Sequence, residues 1–561
     1  MADPEGEKRS IDPTLEAEYQ RWLQESYSSS MKQSTEQHTE SGIPVKPLYT
    51  PDDIAGLDYM SQLGFPGQPP YTRGIYPAMY KGQHWTIRQL VGFGTAEDTN
   101  QRLRFLLGQG ATGTNTVFDY ATNRGYDSDA PIAEGDAGQG GVAIDCLDDM
   151  LRLYEGIPLD KVSNSLVLSH PVAAGVIFAM YLAAAEQLGY QWDQLRGTLQ
   201  NDFLMETVVL TAPNILQPGF SFKLSLDAVE FATQHVPKWN PISYTGYNYR
   251  ETGANAVQEV SLVIANALAT AQEMLHREHP IDTFAPRLSS FFSADNDLFE
   301  EVAKYRAARR IYAHLFQDRL GAQNPKSTML RFHVQTAGSA LTAQQPLNNI
   351  TRAAYHALAA VLGGAQSLHV SAYDEALCIP SELAALTALR TQQILLYETG
   401  ASRTIDPLAG SYYVESLTAE IEKRIMDYIE ELDRQGGLVA AVEQGWVHRD
   451  LMRNAYEREL AIADGTRKVV GVNCFQESTT APIEIFRVPE TVERQKTKLE
   501  RLRATRDSLK VEQALKSLRE EAANNRNTLP PLLEAVKSGA TLGECCDVFR
   551  SLHGGWRQPL L

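Results

Sequence analysis

Short apolar stretches alternate with longer segments of helical periodicity from about residue 101 onward. The short stretches are rich in β-branched and aromatic residues and predict eight strands: GTNTVFDY, SNSLVLSH, RGTLQ, PISYTGYN, PRLSSFF, MLRFHVQT, AQSLHVS and SRTIDP. Segments such as PVAAGVIFAMYLAAAEQLG and AVQEVSLVIANALATAQEML lie between them and predict helices. Eight strand–helix units are what a TIM (β/α)8 barrel requires, so the pattern predicts an α/β fold of this type.

The ends of the predicted strands carry polar or ionisable side chains. A TIM barrel collects its chemistry at the C-terminal ends of its strands, so these side chains are candidates for a functional site. They are Asp119, His170, Gln200, Asn248, Ser289, His333, Gln335, Gln366, His369 and Asp406.

Two regions flank the predicted barrel, which we place at residues 51–425. Residues 1–50 are polar and rich in Ser, Gln and Glu, so they predict an N-terminal extended arm that contacts another subunit or stays disordered. Residues 426–561 predict a helical C-terminal region. Its charged run ERQKTKLERLRATRDSLKVEQALKSLREE indicates a solvent-exposed helix or linker, and a small helical end follows from Pro530 to Trp556.

Charge and composition disfavour several classes of partner. The chain has 51 Lys and Arg against 69 Asp and Glu, a formal net charge of -18, which argues against nucleic acid and anionic membranes. Any anion site must therefore be built from local cations. The 5 cysteines have no zinc-like spacing, and no targeting segment or apolar run of about 20 residues is present. We expect a cytoplasmic protein with no metal ligands in this chain.

The most distinctive segment runs from Thr72 to Asp129 and contains TRGIYPAMY, WTIRQL, GFGTAEDTN and NRGYDSD. Glycines between aromatic residues and arginines suit a backbone that approaches a large ligand closely while cations hold its phosphates. The segment closely resembles the large catalytic subunits of the adenosylcobalamin-dependent acyl-CoA mutases, the methylmalonyl-CoA mutase family. The resemblance continues to about Asn473, and it supports the count of eight strands, because RGTLQ alone is a weak strand signal.

The resemblance implies a channel for coenzyme A and a surface for adenosylcobalamin. The residues at CoA-side positions of the family are Tyr76, Met79, Thr86, Arg88, Asn115, Thr198, Asn240, Arg287, Ser289, Lys326, His333, Gln366 and Ser367. Of these, Arg287, Ser289 and Lys326 match residues that meet the CoA phosphates and ribose. The residues at positions that touch or face the corrin or the adenosyl group are Phe118, Asn123, Gly140, Glu251, Gln335, Ser371 and Glu375.

Three residues match family positions near the substrate thioester, and we assign them as catalytic: Gln200 in GTLQND, and Tyr247 with Asn248 in TGYN. The family has His where this chain has Asn248, and the resemblance implies that this side chain hydrogen-bonds the thioester carbonyl during migration. An Asn amide can donate such a hydrogen bond but cannot titrate. Activity in this chain would therefore depend on a neutral donor and not on a general acid.

The choice of substrate is expected to depend on Leu90, Val117 and Leu210. Methylmalonyl-CoA mutases have Tyr and Arg at the positions of Leu90 and Leu210, and a substrate carboxylate against two leucines would carry a large desolvation penalty. Isobutyryl-CoA enzymes pair Phe with Gln there, and 2-hydroxyisobutyryl-CoA enzymes have an acidic residue in place of Val117. The three apolar residues predict a branched aliphatic substrate, pivalyl-CoA/isovaleryl-CoA, with isobutyryl-CoA/butyryl-CoA and 2-hydroxyisobutyryl-CoA as alternatives.

The resemblance also implies a reaction, a cofactor and a partner. The reaction is a radical 1,2-migration of the CoA thioester carbonyl, with adenosylcobalamin as the cofactor. Family members bind cobalt through a D-x-H-x-x-G motif on a flavodoxin-like domain, and the 561 residues contain no such motif. We therefore expect a small cobalamin-binding subunit that ligates the cobalt, and a homodimer of large subunits within a heterotetramer.

Two other functions are compatible with a barrel of this kind. A non-catalytic homologous subunit of a mutase heteromer would explain the loss of the family His, although the CoA-side and adenosyl-side residues persist. A TIM-barrel hydrolase or lyase without cobalamin would use the Asp and His residues of the barrel as acid–base groups. That alternative leaves the segment from Thr72 to Asp129 unexplained.

Overall fold

The structure is a computed structural model and describes residues 12–30, 36–168, 170–209, 216–477, 483 and 485–557. Its centre is a ring of parallel strands, two of which are interrupted for two residues. The strands are β1 (Thr86–Ile87 and Leu90–Val91), β2 (Gly113–Val117), β3 (Ser163–Val167), β4 (Gly197–Leu199), β5 (Trp239–Asn240 and Ser243–Thr245), β6 (Ser289–Ala294), β7 (Phe332–Thr336) and β8 (Ser367–His369).

The two interrupted strands close the sheet into a barrel. The first part of β1 pairs with β8 through Ile87 and Leu368, and its second part pairs with β2 through Leu90 and Asn115. β5 likewise pairs with β4 through its first part and with β6 through its second part. Every strand of the ring therefore has two neighbours, as barrel closure requires. The predicted TIM barrel is confirmed.

One of the predicted strands is wrong. SRTIDP is a loop, and the strand missing from the prediction is β1, which overlaps WTIRQL and ends at Val91. The SRTIDP segment forms a loop because the backbone of Asp406 is left-handed, with a φ of 49°. The Asp406 carboxylate also binds Arg306 and Arg73. β1 escapes the strand pattern because its inward residue Thr86 is polar and because the strand is interrupted at Arg88 and Gln89.

A main helix follows each strand and covers the outside of the barrel. These helices are α1 (Ala96–Gly108), α2 (Leu147–Tyr154), α3 (Pro171–Gln187), α4 (Pro218–His235), α5 (Ala256–His276), α6 (Leu298–His314), α7 (Asn348–Leu362) and α8 (Glu382–Tyr397). α3 is apolar on all sides and buried along nearly its whole length. A helix that is apolar on every face is stable here because α3 lies in the core of the protein, with other helices packed on its outer side.

The C-terminal region supplies some of those outer helices. Its helices are α9 (Tyr412–Arg434), α10 (Leu438–Glu443), α11 (Trp446–Ala463), α12 (Val492–Thr505), α13 (Ser508–Ala523), α14 (Leu529–Lys537) and α15 (Leu542–His553). The domain boundary expected at residue 425 falls inside α9. α14 packs on α3, where Gly175 faces Leu529 and Leu532. Within the described ranges, no helix combines the length and the apolarity needed to cross a membrane.

The charged run in α12 and α13 is helical, as predicted, but it is not simply solvated. Arg503 pairs with Asp127 at 3.0 Å and also with Asp129. Gln495 is buried and donates to Asp145 at 2.9 Å. Polar and ionic contacts thus hold α12 against the long segment that follows β2.

The two described parts of the N-terminal arm pack differently. The helix Pro13–Trp22 buries none of its side chains. The short strands Gln37–His38 and Pro44–Val45 form a hairpin, and Glu40 at its turn binds Arg250 and Arg467. The segment of the arm that is nearest the barrel is therefore tied to it by buried and half-buried charges.

A glycine directly after β1 offers a test of the barrel closure. A Cβ atom at Gly92 would overlap the carbonyl oxygen of Val117, which belongs to the neighbouring strand. We expect Gly92→Ala to lower the free energy of unfolding by about 3 kcal/mol, the upper part of the range for overpacked sites. Gly108→Ala is the control, because Gly108 has open space around it and alanine should be neutral or slightly stabilising in a helix. Urea unfolding curves with equal midpoints for both variants would contradict this expectation.

Candidate active site in the barrel channel

The barrel encloses a cavity where a packed core is usual. The cavity has a volume of about 190 Å³, and residues from the beginning and the end of the strands form its wall. TIM barrels ordinarily fill this space with layers of Val, Ile and Leu. The inward positions here instead include small or polar side chains: Thr86, Asn115, Ser165, Thr198, Ser243, Ser289 and Ser367. We call this space the channel, because it leaves room for an extended ligand.

Most residues that the resemblance assigns to CoA line the channel, and so does Gln200. Those in its wall are Tyr76, Thr86, Arg88, Asn115, Thr198, Gln200, Asn240, Ser289, His333, Gln366 and Ser367. The other CoA-side residues lie apart from the wall. Met79 is buried beside Gly74 and Gly364, Arg287 is half-buried just before β6, and Lys326 is exposed on the turn before β7.

The sequence-based selection missed part of the wall. The missed residues are Ser165, Val167, Ser243, Ser290, Phe291, Arg331 and Phe332. Every second residue of a barrel strand points inward. This alternation was the signal that could have found Ser165 and Val167 on β3, once the neighbouring Asn115 had been placed in the channel.

Several buried polar atoms of the channel wall have no hydrogen-bond partner within the described residues. They are Nε of Arg88, Oδ1 of Asn115, Oε1 of Gln200 and Nε2 of His333. The Arg88 guanidinium otherwise donates to neutral oxygens of Thr114 and Ser163, and burial lowers its pKa to about 10. An unpaired buried polar atom costs about 1–3 kcal/mol. A ligand with both donors and acceptors along its length would recover part of this cost.

Cations collect where the channel opens at the N-terminal ends of the strands. Burial lowers the pKa of Arg287, and the nearby charges of Arg331 and Arg196 lower it further. The Arg331 guanidinium is held by the backbone carbonyls of Pro286 and Lys326. Among the described residues, none of the three arginines forms a salt bridge with a carboxylate. Cations that repel one another in this way favour an anionic ligand at this end.

Aromatic rings stack behind the wall residue Phe291, near the C-terminal ends of the strands. Tyr247 lies in the short helix Gly246–Glu251 directly after β5, and its ring stacks on Phe291 at 5.1 Å between centroids and 5° between planes. Phe291 in turn contacts His333 at 4.9 Å. Asn248 is half-buried and follows Tyr247 in the same helix. The three predicted catalytic residues therefore lie at the ends of the adjacent strands β4 and β5.

Two carboxyl groups converge beyond this aromatic wall. Glu251 accepts hydrogen bonds from the N–H and the hydroxyl of Ser339 at 2.9 and 3.1 Å. A Cβ atom at Gly338 would lie 3.0 Å from Glu375, 3.1 Å from the Tyr247 hydroxyl and 3.2 Å from Glu251, so these three groups face one small space. Burial raises the pKa of each glutamate to about 7. Carboxyl oxygens in this arrangement can accept hydrogen bonds from hydroxyl groups of a ligand.

The remaining cofactor-side residues lie around the same C-terminal mouth. Phe118 is buried at the end of β2, and Asn123 donates to its carbonyl oxygen at 2.6 Å. Gly140 has a φ of 68° and lies against the ring of Tyr120, which is 48% exposed. The other members of the set are Gln335 on β7 and Ser371 just after β8. The mouth thus combines an exposed ring and open backbone on one side with carboxyl groups on the other.

The predicted acyl pocket is apolar where the structure describes it. Leu90 pairs with Asn115, whose side chain faces the channel, so Leu90 faces it as well. Val117 points to the same side as Asn115 and pairs with Val167, which lines the channel. Leu210, the third predicted pocket residue, lies outside the described residues.

The raised pKa values of the two glutamates should make the free energy of unfolding depend on pH. The pKa of Glu375 is about 7 in the folded protein against an ordinary value of 4.5, so the folded state binds more protons than the unfolded state between these values. Its contribution to the free energy of unfolding therefore falls as the pH rises from about 4.5 to about 7. Relative to wild type, Glu375→Gln should gain stability between pH 5 and pH 8. The control is Glu398→Gln, because Glu398 lies at an exposed site. If thermal unfolding gives the same pH profile of stability for both variants, the pKa of Glu375 is not raised in the folded protein.

Comparisons with known proteins identify the family of the chain. The sequence matches the family model described as methylmalonyl-CoA mutase over residues 38–555. It is 42% identical over 556 residues to a 2-hydroxyisobutanoyl-CoA mutase large subunit from Aquincola tertiaricarbonis, covering 98% of each chain. It is 43% identical over 515 residues to a methylmalonyl-CoA mutase from Escherichia coli (strain K12), covering 91% of this chain and 71% of that one. On these matches, the chain belongs to the methylmalonyl-CoA mutase family.

Proposed function

We propose that this chain is the substrate-binding large subunit of an adenosylcobalamin-dependent acyl-CoA mutase. The reaction moves the CoA thioester carbonyl between adjacent carbons of a branched aliphatic acyl group, most directly between pivalyl-CoA and isovaleryl-CoA. One arrangement carries the proposal: a polar channel lies inside the barrel, arginines cluster beside the N-terminal ends of its strands, and two glutamates converge beyond the C-terminal ends. Leu90 and Val117, on the inward face of β1 and β2, form what we call the apolar band. Membership of the mutase family supports it independently.

Each part of an acyl-CoA has a chemical match along the channel. Arg287 and Lys326, with Arg331 beside them, would hold the phosphates through charge-assisted hydrogen bonds. The hydroxyl and amide side chains of the barrel interior would bind the pantetheine arm, whose amides need both donors and acceptors. The thioester would then lie close to Gln200, where the polar part of the channel meets the apolar band.

The catalytic residues position the thioester and shield it. Gln200 and Asn248 would donate amide hydrogen bonds to the thioester carbonyl. Tyr247 and Phe291 would keep water away from a reactive intermediate, because their stacked rings occupy the adjacent wall. Since Asn248 cannot release a proton, this chain would polarise and hold the substrate without protonating it.

The C-terminal mouth fits adenosylcobalamin. Glu251 and Glu375 offer carboxyl oxygens to the hydroxyl groups of the adenosyl ribose, and the open backbone at Gly140 beside Tyr120 offers a broad surface to the corrin. When bound, this cofactor supplies the radical chemistry that starts the rearrangement. The residues of this chain would orient the adenosyl group and exclude water from the space between it and the acyl group.

The apolar band favours a branched aliphatic acyl group. Leu90 and Val117 offer no partner for a substrate carboxylate or hydroxyl, and an unpaired buried charge is costly. Isobutyryl-CoA/butyryl-CoA is a smaller substrate of the same class. 2-Hydroxyisobutyryl-CoA is the second candidate, because the Aquincola tertiaricarbonis relative named for that acyl group matches this chain along 98% of both sequences.

The two broader alternatives have less support. A hydrolase or lyase without cobalamin is disfavoured by the match to the mutase family over residues 38–555. A non-catalytic subunit is disfavoured because the channel, its unpaired polar atoms and the convergent glutamates are all retained. A chain free of catalytic demands would be expected to fill such a channel with apolar side chains, which would stabilise the barrel.

We further propose a partner and an assembly. A separate small subunit would ligate the cobalt and cover the C-terminal mouth, and two large subunits would form a homodimer within a heterotetramer in the cytoplasm. Relatives that are named as large subunits support the existence of a small partner. The exposed helix Pro13–Trp22 of the N-terminal arm is available for a subunit contact.

Reconstitution tests the proposed function directly. The purified chain should be inactive with adenosylcobalamin alone and should become active when its cognate cobalamin-binding subunit is added. Isomer formation from pivalyl-, isovaleryl-, isobutyryl-, 2-hydroxyisobutyryl- and methylmalonyl-CoA is measured by chromatography, with hydroxocobalamin as the control cofactor. Turnover by the highly purified large chain without a partner would refute the need for a small subunit, and no turnover of any acyl-CoA by the complete mixture would refute the mutase assignment.

The apolar band predicts how the acyl preference can be changed. Val117→Asp should depress turnover of pivalyl-CoA and isovaleryl-CoA and favour 2-hydroxyisobutyryl-CoA, because a buried hydroxyl then gains a partner. A buried hydrogen-bond partner can change the preference for a hydroxylated over an aliphatic substrate by roughly 10⁴-fold, whereas one methylene changes a substrate preference by only about 10–200-fold. Val117→Ile is therefore the matched control and should shift the preference little. If the wild-type complex already prefers 2-hydroxyisobutyryl-CoA, the aliphatic assignment is wrong.

A further inference from the structure

The amide group of Gln200 is held in one orientation. Its Nε2 lies 3.0 Å from the hydroxyl oxygen of Thr245, and that hydroxyl lies 3.0 Å from the carbonyl oxygen of Ser243. The carbonyl can only accept, so the single hydroxyl proton of Thr245 is donated to it and the Thr245 oxygen accepts from Gln200. One N–H of Gln200 therefore points at Thr245. Its second N–H and its Oε1, which has no partner in the described part of the chain, remain for a ligand.

Thr245 is itself fixed by a buried carboxylate. Asp202 accepts hydrogen bonds of 2.7 Å from the backbone N–H of Thr245, from the hydroxyl of Tyr249 and from the amide of Asn266. Asp202 follows Gln200 by two residues, so this carboxylate joins the end of β4 to the end of β5. The result is a buried chain of hydrogen bonds that runs from Asp202 through Thr245 to Gln200.

We propose that Thr245 is a positioning residue of the rearrangement, because its hydroxyl selects the orientation of the Gln200 amide that the acyl-CoA meets. This inference rests on the proposed function, since it requires the thioester of an acyl-CoA to reach Gln200. Thr245 is fully buried, whereas Gln200 lines the channel. Thr245 therefore acts through Gln200 and not through direct contact with the substrate.

The orientation matters because the nitrogen and oxygen ends of an amide are nearly equal in size, so either orientation fits the same space. A rotation of the Gln200 amide by 180° exchanges Nε2 and Oε1 without changing the volume of the side chain. In the rotated form an acceptor would face the thioester carbonyl, which is also an acceptor. The substrate would then bind through its CoA part but would lose the hydrogen bond that polarises its carbonyl. Loss of the Thr245 hydroxyl should accordingly lower kcat more than it weakens CoA binding.

Two variants that differ by one hydroxyl test this role in the complete complex of large chain, cobalamin-binding subunit and cofactor. Thr245→Ser and Thr245→Ala both lack the methyl group of threonine, and only the serine keeps the hydroxyl. We expect Thr245→Ser to retain most of the wild-type kcat and Thr245→Ala to lose about tenfold to a hundredfold, as for a misplaced substrate. The Kd of free CoA, measured by calorimetry, should stay within about threefold of wild type for both variants.

A double-mutant cycle with Gln200→Met separates positioning from general damage. If Thr245 acts through Gln200, Thr245→Ala should lower kcat no further in a Gln200→Met chain. Multiplicative losses, equal kcat values for Thr245→Ser and Thr245→Ala, or a parallel loss of CoA affinity would each overturn the proposal. Thr245→Val replaces Thr245→Ala if the alanine variant does not fold. Absence of turnover by the wild-type complex would instead overturn the proposed function, so the two failures are distinguishable.

Discussion

A channel along the barrel axis removes the packed interior that ordinarily holds a TIM barrel together. Many inward positions carry small or polar side chains, so most of the apolar contacts of the strands are made with the surrounding helices. The outer layer must then supply the stability that the interior does not. This constraint explains why the helices around the barrel are so deeply buried and why the C-terminal helices are packed against them.

The same outer layer contains buried charges that fix the position of the mouth. Lys304 on α6 donates to Glu259 on α5 at 2.7 Å and also pairs with Glu301, and Arg250 lies 3.1 Å from Glu301. Desolvation offsets most of the attraction in a buried ion pair, but removing one partner is costly. We infer that this cluster acts mainly to fix geometry. Arg250 belongs to the short helix that carries Tyr247, so the cluster holds that helix on the barrel.

The barrel and much of the channel could be predicted from the sequence, for separate reasons. Most strands from β2 to β8 lie within β-branched or aromatic runs, although the β4 segment RGTLQ is a weak signal that the family resemblance supports. β1 is interrupted and its inward residue Thr86 is polar, so no local pattern indicates it. Matched family segments place Arg88, Gln200 and His333, but they say nothing of Val167 or Phe291. Those two residues reach the channel only because the barrel fixes which face of each strand points inward. The Thr245–Gln200 contact spans 45 positions and is likewise invisible to a linear pattern.

The position of α3 between the barrel and α14 has a consequence for biosynthesis. Leu529, the first residue of α14, comes 342 residues after the last residue of α3. At a synthesis rate of about 5–20 residues per second, the nascent chain carries an apolar helix without this cover for roughly 20–70 s. Throughout that interval its exposed surface is the kind that chaperones bind and that drives aggregation. The yield of active protein in a cell should therefore depend on how well this one helix is protected until α14 leaves the ribosome.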